Sequence, residues 1–215
     1  MAVPSSVLPE PDRRLRLQQL GLDVSDLREA MRAGYNHAAS CTDHDPRSLP
    51  GTLAWAKGTG DLRDRLKVHG WKADRNENFE SVVHPKGHHA VAIMAGTSQT
   101  GCADGLPPRT KTPRGPATGR AVQANRQLSF AGADPAFGPS DEDGRHVTWL
   151  LLHYYDRNSK EIRLELSLPS EMTGKQVTAW HERILLETIP FATKIVDFDE
   201  VEAADINVDI TRRQS

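Results

Sequence analysis

Three stretches near the C-terminal end constrain this chain more than anything else in it. VTWLLLHYY (147–155), IRLELSL (162–168) and VTAWHERILLE (177–187) are each of strand length and are separated by short polar turns. The first is apolar on both faces, as a strand covered on both sides must be. The second alternates: Ile162, Leu164, Leu166 and Leu168 point one way, Arg163, Glu165 and Ser167 the other. In the third, Trp180, Ile184 and Leu186 are assigned to one apolar face. Asp156-Arg157-Asn158-Ser159-Lys160 supplies the first turn, and the polar stretch from Pro169 through Gly174 the second. Strands joined this closely run antiparallel, because a parallel return needs a dozen or more residues. The three together predict a meander.

A second β signal lies upstream. FESVVHPKGHHAVAIMAG (79–96) reads as a hairpin with Pro85-Lys86-Gly87 at its turn. Before it the hydrophobic period is helical. Leu27, Ala30, Met31, Gly34 and Ala38 share one face of a helix that Ser25 caps, with Asp26 and Glu29 in its first turn. A second helix is expected from Thr52 to Gly70, with Gly58 and Gly60 weakening its middle enough to divide it into two pieces. The predicted fold is therefore α+β: N-terminal helices packed on an antiparallel sheet made of the hairpin and the three-strand meander.

Composition sets the limits of that domain. Hydrophobic residues make up 37% of the 215, and aromatics 6%, against a usual apolar share of roughly 45–50%. Part of the chain is thus expected to add nothing to a core. Residues 1–24, with Pro4, Pro9 and Pro11 near the start, read as a flexible arm. Residues 196–215 read as an acidic tail, with six carboxylates and no basic residue over 196–209. Between them, 25–195 form one domain that includes a long surface loop, 97–146. Seven glycines and six prolines between Gly101 and Gly144 argue against a packed element through most of that loop.

Four constellations invite chemistry. Cys41-Thr42-Asp43-His44-Asp45-Pro46 follows His37, so His37, Cys41 and His44 present H-x3-C-x2-H, a spacing at which zinc takes imidazole and thiolate. A structural zinc needs about four ligands, and no second paired cluster exists. The plainer reading is a helix end followed by an Asx turn that Pro46 closes. His84, His88 and His89 surround the hairpin turn, and strand alternation should send His88 and His89 to opposite sides, as solvated turn residues. In Trp180-His181-Glu182-Arg183, alternation puts His181 and Arg183 on one face and Trp180 and Glu182 on the other. There they make cross-strand ion pairs with exposed Arg163 and Glu165. The fourth is the basic loop 106–127, with Arg109, Lys111, Arg114, Arg120 and Arg126 and no acidic residue. Prolines keep it extended, and Thr110, Thr112, Thr118, Gln123 and Asn125 add neutral hydrogen-bonding groups, a set that suits phosphate contacts. The bland alternative is a solvated loop, or one docked on the acidic tail. No Walker spacing and no G-x-S-x-G elbow is present.

PGTLAWA near residue 50, DRLKVHGW ending at Trp71, TKTPRGPATGRAVQANRQLSF in the loop, and LELSLP followed by TAWHERILL resemble a group of uncharacterised proteins from high-GC actinobacterial genomes that occur near mobile elements. The resemblance spans most of 25–190 and implies a bacterial cytoplasm; no activity comes with it. The cytoplasmic expectation also follows from two cysteines without a disulfide pattern, the absence of a signal-peptide h-region and the lack of any apolar run of about 18 residues. The functional expectation is a non-enzymatic binding or accessory protein, without a cofactor, that contacts nucleic acid or a protein partner through 106–127. The alternatives are a metal-dependent enzyme using His37, Cys41 and His44, with zinc as its ion, and an acidic tail that mimics nucleic-acid charge and inhibits a DNA-binding partner.

Overall fold

A computed structural model describes residues 6–75, 79–130, 134 and 146–195. The acidic 196–215 segment and most of 131–145 lie outside the described residues. The architecture is α+β: a seven-stranded sheet with helices on both faces. The elements in chain order are β1 (Ser6–Val7), α1 (Asp12–Gln19), α2 (Val24–Ala38), α3 (Leu49–Lys67), β2 (Lys72–Asp74), β3 (Ser81–Val83), β4 (His89–Ala95), α4 (Pro116–Phe130), β5 (Val147–Asp156), β6 (Glu161–Thr173) and β7 (Gln176–Pro190).

The sheet runs β1-β7-β6-β5-β4-β3-β2. The hairpin β3–β4 and the meander β5–β6–β7 form as the residue patterns predict. They meet at β4 and β5, which pair in parallel from His89↔Val147 to Ala95↔His153. The sheet is therefore mixed rather than wholly antiparallel. The reason is α4: a parallel return needs a long crossover, and the Gly/Pro-rich segment supplies one by folding Pro116–Phe130 into a helix. Pro116 sits at the first helical position, where its missing N–H costs nothing.

Each face has its own core. Trp149 and Leu151 of β5, with Leu164, Leu166 and Ile184, pack against α1, α2 and α3; Leu150 and Leu152 point the other way, with Ala92, Met94, Val122 and Trp180. Asp23 caps α2 in place of Ser25, its carboxylate accepting the Ser25 N–H at 2.7 Å. Hydrogen bonding to the Ser25 side chain and then to its backbone N–H holds the Asp23 carboxyl below its ordinary range. α3 is a single helix through Gly58 and Gly60. Tertiary packing overrides the glycine penalty of roughly 1 kcal/mol each. Gly34 of α2 lies so close to α3 that a Cβ there would overlap the Ala54 carbonyl oxygen, and one on Gly58 would touch the Met31 sulfur.

Residues 6–24 do not behave as an arm. β1 pairs in parallel with β7, and Leu17, Leu20 and Leu22 are buried in the helix-side core. Arg16 grips Glu182 with both ends of its guanidinium, Nε to Oε1 at 2.8 Å and Nη2 to Oε2 at 2.9 Å.

Candidate nucleic-acid interface

The basic segment is not one extended loop. Residues 106–115 form a strap laid over the second face of the sheet, and 116–127 belong to α4. The strap is tied down on both sides. Lys111 N–H donates to the Ala95 carbonyl at 2.9 Å, Thr110 N–H to Val177 at 3.2 Å, and Arg114 N–H to Lys175 at 2.6 Å. The Gln176 side-chain amide donates to the carbonyls of Thr110 and Lys111, and the Trp180 indole N–H to Pro108 at 2.8 Å.

Trp180 reaches this layer through an irregularity that strand alternation alone does not reveal. Leu168 pairs with Glu182 but Pro169 pairs with Trp180, so His181 bulges out of register. A one-residue bulge reverses the facing of the residues that follow it, up to the next irregularity. Trp180 therefore packs on the second face while Ile184 and Leu186 stay on the helix side, and Trp180 and Arg183 share a face instead of opposing one another. His181 is half-buried, and burial lowers its pKa.

The five basic residues are presented unequally. Arg109, Arg120 and Arg126 are exposed, and Lys111 and Arg114 are half-buried. Thr118, Val122 and Asn125 form the inward stripe of α4, which leaves Arg120, Gln123, Arg126 and Gln127 on the outer one. Three of the expected phosphate-contacting polar residues are internal. Thr110 is buried and accepts the Val177 N–H through its hydroxyl at 3.1 Å, and Thr118 is 1% exposed. Asn125 accepts the Thr148 N–H at 2.8 Å and donates to the carbonyls of Thr148 and Pro169 at 2.9 and 3.2 Å. The β5–β6 register begins at Leu150↔Ser167, so Thr148 would face Pro169, which has no N–H to offer. The Asn125 amide fills that gap. Lys175, at the β6–β7 turn beside Arg114, joins the basic surface although it lies outside 106–127.

Under the N-terminal side of this layer lies a charge network that the alternation pattern places in solvent. Glu165 is 0% and Arg183 3% exposed. Arg183 Nε and Nη2 meet the two Glu165 oxygens at 3.0 and 2.6 Å. The same carboxylate accepts from Ser167 Oγ at 2.7 Å and from the Gly101 N–H at 2.8 Å, and Arg183 Nη2 also donates to the Cys102 carbonyl at 3.0 Å. Arg163 spans Cys102 Sγ at 2.7 Å and Asp156 Oδ2 at 3.0 Å, and stacks 5.0 Å from the Tyr154 ring centroid. The cover comes from 97–105, so only the tertiary fold makes this face internal.

His84, His88 and His89 converge instead of diverging. The His84 ring stacks on His89 at 4.7 Å and lies 6.4 Å from His88, with the Trp71 ring edge-on to His84 and His89. His88 precedes β4, so strand alternation does not govern it. His89 is 1% exposed with Nε2 on the Leu20 carbonyl at 3.0 Å, and burial drives its pKa down to about 4.

His37 and His44 are exposed while Cys41 is buried, its thiol pKa raised by burial. Among the described residues no group of three or more His, Cys, Asp or Glu side chains is arranged to hold a metal ion. CTDHDP is a polar turn in which Asp45 Oδ2 accepts both the N–H and the hydroxyl of Thr42, at 2.7 and 3.0 Å. Among the described residues no helix is long and apolar enough to cross a membrane.

No protein-family model matches the chain, and comparison with curated proteins and with solved structures finds no significant match.

Proposed function

We propose that the chain is a non-enzymatic binding protein whose strap and α4 contact the phosphate backbone of nucleic acid. The observation that carries this reading is that Arg109, Lys111, Arg114, Arg120 and Arg126 sit on a hydrogen-bonded scaffold with no acidic residue anywhere in 106–127. Ordered cations lose less conformational entropy on binding than cations on a free loop. The first turn of α4 carries no carboxylate, so the positive end of its dipole adds to the side-chain charge. Aromatic platforms are absent from 106–127, which favours backbone contact over base stacking.

Fluorescence anisotropy of a labelled duplex tests the reading. Lys111→Glu with Arg114→Glu, and separately Arg120→Glu with Arg126→Glu, should each weaken binding and reduce the slope of log K against log salt by about two contacts at roughly 0.9 each. Wild-type affinity in both variants would remove this surface from the account.

A further inference from the structure

Away from the strap, a cavity of about 570 Å³ opens where three sequence-distant segments meet. Its walls come from Asp43 in the α2–α3 turn, Arg157 and Lys160 in the β5–β6 turn, and Lys194 after β7; Tyr155 and Ile195 also line it, both buried. The volume lies within the range of roughly 300–1,000 Å³ typical of small-molecule sites.

The charges in this cavity are unspent. Arg157, Lys160 and Lys194 have no ion-pair or side-chain hydrogen-bond partner among the described residues, and neither does Asp43. Several arginines elsewhere in the fold are engaged: Arg16 with Glu182, Arg63 with Glu80, Arg163 with Asp156 and Arg183 with Glu165. Three unpaired cations facing one cavity repel each other, a cost that an anionic occupant removes. The cluster is also held in place. The Phe191 N–H donates to the Lys160 carbonyl at 2.9 Å and the Tyr155 hydroxyl to the Thr193 carbonyl at 3.3 Å, which ties the segment bearing Lys194 to the turn bearing Lys160.

We infer that this cavity binds a small organic phosphate: its phosphates on Arg157, Lys160 and Lys194, and a hydroxyl or amino group of its organic part donating to Asp43. Phosphate oxygens and the Asp43 carboxylate repel each other, so the organic part is integral as the donor to Asp43. The arrangement also gives the CTDHDP turn a role as one wall of an anion site, with Asp43 as its acceptor.

Isothermal titration of the full chain with ADP and with pyrophosphate tests the inference. ADP should bind more tightly than pyrophosphate. Arg157→Ala with Lys194→Ala should weaken both by at least roughly tenfold, the size expected for loss of two charged hydrogen-bonding groups. These residues are exposed, so the variant should keep the wild-type unfolding midpoint. Asp43→Asn should weaken ADP without weakening pyrophosphate. Lys111→Glu with Arg114→Glu should keep ADP binding, and Arg157→Ala with Lys194→Ala should keep duplex binding, which separates this site from the strap. Failure of the wild-type chain to bind either probe would overturn the inference, as would wild-type affinity in the Arg157/Lys194 variant or loss of ADP binding in the strap variant. The competing occupant is the acidic 196–209 segment that follows Ile195. Replacing its six carboxylates by amides should leave ADP affinity unchanged. A gain of about tenfold would assign the cavity to the chain's own carboxylates instead.

Discussion

Glu165 and Arg183 face each other across β6 and β7 as a two-pronged pair at 3.0 and 2.6 Å, with side chains 0% and 3% exposed. The pair also anchors the backbone above it, because Glu165 accepts the Gly101 N–H and Arg183 donates to the Cys102 carbonyl. Arg183→Met leaves Glu165 buried without its counter-charge and should cost about 3–5 kcal/mol. Removing both charges with Glu165→Met and Arg183→Met should cost less than Arg183→Met alone. Urea unfolding of the two variants measures the difference, and a double variant less stable than the single one would contradict it.

Asn125 supplies the hydrogen bonds that Pro169 cannot make. Asn125→Leu keeps the branched shape but strands the Thr148 N–H and removes the donor from two carbonyls, at roughly 1–3 kcal/mol. Amide exchange offers a local readout: the Thr148 N–H should become one of the faster-exchanging amides of β5 in the variant. Unchanged protection at Thr148 would exclude the clamp.

His89 should make stability fall as the pH drops below neutral. Its folded pKa is about 4 against 6.5 for the free side chain. Between those values the unfolded chain binds a proton that the folded chain does not, so stability is full above about pH 6.5 and is lost progressively down to about pH 4. The span of about 2.5 units corresponds to roughly 3 kcal/mol. His84, whose pKa is lowered by burial and then by His88 and Lys86, acts in the same direction. His89→Gln, which keeps a donor for the Leu20 carbonyl, should flatten the pH 4–6.5 slope in thermal unfolding. An unchanged slope would assign the acid sensitivity elsewhere.

The two thiols should differ in reactivity. Cys41 is buried with its pKa raised, whereas Cys102 is half-exposed beside the Arg163 guanidinium. Burial shields Cys41 and holds it in the unreactive thiol form. A disulfide reagent should therefore label Cys102 first. Faster labelling of Cys41 in the folded chain would reverse the assignment.

Strand identity was legible because side-chain period is a local property. The alternation of Ile162, Leu164, Leu166 and Leu168 and the two-faced apolarity of 147–155 require only neighbouring residues to be read. The inward face of α2 was legible for the same reason, since Leu27, Ala30, Met31, Gly34 and Ala38 recur at the helical repeat and all are buried. The basic segment was visible as a charge pattern, but its shape was not. Gly115 and Pro116 look like loop residues, yet they start a helix whose inward stripe of Thr118, Val122 and Asn125 is too polar to announce itself.

What the sequence by itself determined is the five strands of the hairpin and the meander, the amphipathic face of α2, and a basic segment with no acidic residue of its own. The tertiary structure alone decided which of these surfaces became interior. A second face that reads as solvent-exposed, with Arg163, Glu165 and Ser167, lies under the 97–105 cover. A one-residue bulge at His181 moved Trp180 to the opposite side of the sheet, and three histidines expected to part were stacked together. The physical reason is common to all three. Burial and facing depend on what arrives from distant parts of the chain, and a local repeat carries no record of that arrival.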